Sequence, residues 1–141
     1  MWYLLLIALR DHLAAQTDLN GVDIQLGDSA NYPNTTTLVL MRGQGAADDR
    51  LRHIRGKQTL VIESWVTATV TDAEQSVIDG YQQLAELEAK LTSAVQTFGA
   101  NGPVGYHIIV KAREFQPDGD QFRPNVASGL AIDIQYTKIN P

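Results

Sequence analysis

No cysteine occurs in this chain. That absence removes disulfides, thiolate metal sites and thiol nucleophiles together, and it fits a reducing compartment. No apolar run is long enough to span a bilayer. The apolar start, Met1 to Leu9, lacks a basic flank and is interrupted at Arg10-Asp11-His12, so it reads as an N-terminal helix packed on the body rather than a signal peptide. Neither a dinucleotide nor a P-loop fingerprint is present, and Gly43-Gln44-Gly45 is too short to cradle phosphate. There is no internal repeat and no low-complexity tract. A formal charge of −5 argues against bulk nucleic-acid binding by the whole chain.

What is present is enough apolar content, 44% of 141 residues, for one domain spanning 1–141 with a sizeable core. Residues 2–15 suit a helix, with Leu5, Leu6, Leu9 and Leu13 on one side. Five segments then alternate. Val22, Ile24 and Leu26 share a side in the first, Leu38 and Leu40 in the second (36–41). Leu60, Ile62, Val66, Ala68 and Val70 do so in the third, opposite Thr59, Glu63 and Thr67, with Val61 and Trp65 among the latter. Val104, Tyr106, Ile108, Val110 and Ala112 oppose His107, Lys111 and Arg113 in the fourth. Leu130, Ile132, Ile134 and Tyr136 oppose Asp133, Gln135 and Thr137 in the fifth. A period of two gives each strand one buried and one wet face, which favours antiparallel pairing.

Between the third and fourth segments lies one long helix of about 39 Å. Thr71-Asp72-Ala73-Glu74 offers a capping box. Val77, Tyr81, Leu84, Leu91, Val95 and Phe98 form its apolar stripe, widened by Ile78, Ala85 and Leu87, with Glu88 filling a gap; Gly99 and Asn101-Gly102-Pro103 end it. The expected fold is α+β: an antiparallel or mixed sheet of about five strands, with the long helix and the N-terminal helix on one face. Two connections, 43–56 and 116–128, read as long loops that become ordered on contact.

The segment from Arg42 to Lys57 holds Arg42, Arg50, Arg52, Arg55 and Lys57, five of the eleven Lys and Arg. Against Asp48 and Asp49 it nets +3, which leaves −8 on the rest of a −5 chain. It could be a solvated loop, a protein-contact arm or a phosphate contact. The guanidinium fork suits carboxylate and phosphate alike. The internal aspartates and the absence of interleaved aromatics favour protein contact over nucleic acid. Such an arm is expected to be poorly ordered in an isolated subunit.

No catalytic, cofactor or metal constellation emerges. His12, His53 and His107 lie on three different elements without ligand spacing, and read as surface or partly buried residues. Asp118-Gly119-Asp120 lacks the further oxygen ligands of a calcium loop. Glu88 could be a buried catalytic acid, but reads rather as a register-setting polar contact or simply the edge of the stripe, and Ser64 as a small buried hydroxyl.

Gln58 to Val66, the Thr71–Phe98 helix, Gly105 to Val110 and Gly129 to Tyr136, in that order, resemble the tail-terminator (tail-completion, minor tail protein U-like) family of long-tailed bacteriophages and prophages. The resemblance covers essentially the whole chain. It implies a non-enzymatic structural part of the virion tail, assembled in the host cytoplasm as a ring, usually a hexamer. The ring would cap the tail tube, stop its polymerisation and present a surface to the head. Implied partners are other copies, the tail tube protein and a head–tail connector or head-completion protein. Membrane and cofactors are not implied, and DNA contact would be incidental, through the lumen. Two alternatives stand beside this. One is another neck component, a head-closure or connector-side protein. The other is a small α+β enzyme whose site would converge on His107, Glu63 or Asp133.

Overall fold

Strands with one apolar face must bury it against something, and here two helices supply the cover. The computed structural model describes residues 1–27, 35–47, 54–67, 73–117 and 125–139. Helix α1 (Trp2–Ala14) leads through a 3-10 turn at Thr17–Leu19 to β1 (Asp23–Leu26), β2 (Thr37–Ala47) and β3 (Arg55–Thr67). Helix α2 (Ala73–Thr97), a second 3-10 turn at Phe98–Asn101, β4 (Tyr106–Pro117) and β5 (Asn125–Lys138) complete the order. These strands form one sheet, β1-β2-β3-β5-β4. β5 is antiparallel to both β3 and β4, so β3 and β4 run the same way, with α2 as their crossover and β5 inserted between them.

The core is the layer between the helices and one face of the sheet. Leu5, Leu9 and Leu13 of α1, Leu91 of α2 and Leu60, Ile62, Ile132 and Ile134 of the central strands are all fully buried there. Among the described residues, the opposite, open face carries a small buried apolar cluster of Val39, Trp65 and Ala127, with Met41 against it. Among the described residues no helix is long and apolar enough to cross a membrane.

His12 ties the layer together. Its Nε2 lies 2.8 Å from the Ala94 carbonyl oxygen and 3.1 Å from Thr97 Oγ1, while its Nδ1 lies 3.2 Å from Asn101 Nδ2. A carbonyl can only accept and an amide nitrogen only donate, so the bonds require hydrogen on Nε2 and a lone pair on Nδ1. A buried imidazole thus joins α1 to the end of α2, where the sequence had suggested a surface or partly buried residue.

The sheet is mixed, one of the two forms expected, because β1 pairs with β2 in parallel. Several other expectations are corrected. Both long loops are shorter than expected. β2 and β3 pair out to Ala47 and Gly56, and β4 and β5 extend to Pro117 and back to Asn125. Val104 is fully exposed in the turn before β4, and Leu26 and Ala112 are exposed too. The buried stripe of α2 is rotated: Leu84, Leu87, Leu91, Ala94 and Val95 face the core, while Ile78, Tyr81 and Ala85 point to solvent. Thr71, Asp72, His53, Asp118, Asp120 and residues 68–70 lie outside the described residues, as do the side chains of Glu74 and Val77.

Candidate contact surface

The expected basic loop is a β-ribbon at its two ends. The register of β2 against β3 shifts between Arg42 and Gly45, which marks a bulge. Glycines make it possible. A Cβ on Gly43 would lie 2.8 Å from the Thr59 carbonyl oxygen, and one on Gly45 would collide with Gln58 Oε1. Gln58 is buried, and its Nε2 donates to the carbonyl oxygens of Gly43 (3.2 Å) and Thr59 (2.9 Å), tying the bulge to the next strand.

This geometry separates the candidate residues. Arg42 aligns with Leu60, so it belongs to the helix side, and its guanidinium carbon stands 4.6 Å from the Trp2 ring centroid, within cation–π range. Arg55 and Lys57 alternate with buried Gln58 and Leu60, which puts them on the open face. Arg50 and Arg52 lie outside the described residues. The expectation of a poorly ordered arm is therefore overturned for its ends, Arg42–Ala47 and Arg55–Lys57, which are paired in the sheet.

The open face assembles residues the sequence reading had left apart. Three cross-strand rows run over β3, β5 and β4: Thr59–Asp133–Lys111, Lys57–Gln135–Ile109 and Arg55–Thr137–His107. Because side chains alternate with period two, all three rows share one face. Arg113 reaches the same place from the bulge between Ala112 and Phe115. Its Nε and Nη2 each donate at 2.8 Å to the two Asp133 oxygens, and Thr59 Oγ1 donates to Oδ1 at 2.7 Å. The Arg113 hydrogen bonds hold the Asp133 carboxyl below its ordinary range, against the opposing effect of partial burial, and the Thr59 bond and the Lys111 charge add to them. The walls enclose an open groove of about 510 Å³ with Lys57, Lys111 and Arg113 around it. Sequence alternation had placed Lys111, Arg113 and Asp133 on wet faces; only the strand order β3-β5-β4 makes them neighbours of Lys57.

The groups that an enzyme reading requires do not converge. Asp133, His107 and Glu63 align with register positions 133, 137 and 129 of β5, four residues apart in each direction, roughly 13 Å along the strand. Asp133 is already engaged by Arg113 and Thr59. Among the described residues no group of three His, Asp or Glu side chains could hold a metal ion. Glu88 accepts a 2.7 Å bond from the buried Ser128 hydroxyl of β5, so it acts as a helix-to-sheet polar contact. Ser64, aligned with Ser128, is fully buried, and its hydroxyl has no hydrogen-bond partner among the described residues.

No protein-family profile and no curated protein matches the chain. Among solved structures it is similar to a chain of the virion of a native gene transfer agent particle, with a TM-score of 0.69 and 14% identity over 96% of each chain. A second solved chain, 15% identical over 99% of this chain and 94% of its own, has a TM-score of 0.48, too low to carry an argument. The protein thus shares, over nearly its whole length, the fold of a chain from the virion of a gene transfer agent particle.

Proposed function

We propose that this protein is a structural tail-assembly component that forms a ring, a hexamer, on the end of the tail tube, ends tube polymerisation and presents the surface to which the head attaches. The observation that carries the reading is the near-complete fold likeness to a chain of a virion particle. The charge layout supports it: a basic groove on an acidic body lets each copy offer both signs to a neighbour. The partners in this reading are further copies, the tube protein and the connector-side protein. The contact residues in this reading are Arg55 and Lys57 on the open face and Arg42 on the helix side, together with Arg50 and Arg52, which lie outside the described residues. Electron microscopy of particles made without this protein tests the reading. Tails of abnormal length, unattached to heads, are expected. Tails of normal length beside full heads that leak DNA would instead assign the protein to head closure.

A further inference from the structure

Every copy carries two exposed surfaces of opposite sign on opposite sides of the sheet. On the open side, the groove end of the face holds, among the described residues, Arg55, Lys57, Lys111 and Arg113 against one carboxylate, Asp133, and its exposed large apolar residue is Ile109, 57% accessible. On the helix side, the described side chains of α2 include Asp79, Glu86 and Glu88 against a single cation, Lys90. Its outward ridge is apolar in the middle. Ile78, Gln82, Ala85 and Ala89 follow one another at helical spacing, and Ile78 and Tyr81 are 52% and 49% accessible. Asp79 and Glu86, seven residues apart, flank one side of that ridge, while Glu88 on the other side is turned to Ser128 of the sheet.

We propose that the outward ridge of α2 from one copy docks across the groove of the next, so that the basic end of the open face is covered by a helix of a second copy. This rests on the ring reading above and names its contact. Dimensions agree with the charges. Lys57 on β3 and Lys111 on β4 are separated by two strand spacings, roughly 10 Å, which is the width of one α-helix. A helix laid over β5 would have Lys57 of β3 on one flank and Ile109 and Lys111 of β4 on the other, so that Ile78 or Ala85 meets Ile109 while Asp79 and Glu86 face Lys57. It would also give the groove end the helical layer that its other face already has. Because donor and acceptor surfaces lie on opposite sides of each subunit, the contact is heterologous and propagates from copy to copy, closing into a ring when the rotation permits.

The absence of native cysteine gives a direct test. Full-length Gln82→Cys and Ile109→Cys chains, each with one thiol, are mixed and oxidised. A heterodimeric disulfide well in excess of either homodimer is expected. A dominant homodimer of either variant would overturn the proposal by showing a self-matching face. In parallel, Lys57→Glu/Lys111→Glu and Asp79→Lys/Glu86→Lys are each expected to keep the wild-type circular dichroism and to lose self-association by roughly tenfold or more. Mixing the two restores it, since each reversed face then meets a complementary one. Wild-type assembly with both variants unimpaired would overturn the contact and leave the ring reading standing. A wild type monomeric at all concentrations, with and without tube protein, would overturn both. Lysine variants that lose duplex DNA binding while assembling normally would assign the groove to nucleic acid and overturn the proposal.

Discussion

At the residue scale the most constrained charge is Asp133. It accepts two hydrogen bonds from Arg113 and one from Thr59, while remaining near the surface. The arrangement favours the carboxylate over the acid, so its folded-state pKa lies below the unfolded value of about 3.9. The sign follows from linkage: the contribution to stability is present above the unfolded pKa and disappears as pH falls through the lower, folded one. A carboxyl carbon titration by NMR should show Asp133 with a midpoint below that of a free aspartate. In Arg113→Gln the midpoint should rise towards the ordinary range, because the first cause of the depression is removed. An unchanged midpoint would mean that Thr59 and Lys111 suffice. The stability involved is small, since an exposed ion pair is screened by solvent. Its structural consequence is larger: with Asp133 engaged, Lys57 and Lys111 set the sign of the groove.

At the scale of elements, the bulge in β2 decides where the basic residues point. Gly43 and Gly45 are both required by close approach, to different kinds of neighbour. A methyl at Gly43 meets the backbone oxygen of Thr59, which cannot move without disturbing the central strand. At Gly45 it meets the end of the Gln58 side chain, which can rotate away at the expense of its own bonds. Gly43→Ala is expected to destabilise by about 1–3 kcal/mol in urea unfolding, and Gly45→Ala by less, with Gln58→Ala removing most of the Gly45→Ala cost. Equal losses at the two sites would contradict this account of the bulge.

The same elements show what could be read in advance. Alternation identified the buried faces of β3 and β5, Leu60 with Ile62 and Leu130 with Ile132 and Ile134, because those strands are central and one-sided. It could not give the parallel pairing of β1, since a two-faced pattern is the same in either direction. It missed the outer parts of β2 and β4. Arg42 to Ala47 and Ala112 to Pro117 are glycine-rich or polar, and both contain bulges that break the period. In α2 the apolar residues wrap more than one face, so Tyr81 and Ile78 looked like core. Their exposure, visible only once Leu84, Leu87 and Leu91 are seated on the sheet, is what supplies the helix side of the proposed contact.

At the scale of the whole molecule, two electrostatic effects compete when copies meet. Each copy has a net charge of −5, which repels, and each has a basic face and an acidic helix, which attract. Distance decides between them. Centres of compact chains of this size in contact lie roughly 35 Å apart, more than three times the Debye length of about 10 Å at 0.1 M salt, so net repulsion is already screened there. Charges across a contact are about 4–6 Å apart and still interact. Raising salt to 1 M shortens the Debye length to about 3 Å and therefore removes mainly the attraction. Sedimentation equilibrium in sodium chloride at 0.1 M and 1 M should accordingly show self-association weakened by roughly tenfold, with the effect lost in the Lys57→Glu/Lys111→Glu and Asp79→Lys/Glu86→Lys mixture only if the swapped faces fail to meet. Association that is unchanged or tighter at 1 M would place the copies on apolar surfaces such as the exposed β4 edge near Val104 and Ile139, and the opposed charges of groove and helix would then serve solubility rather than assembly.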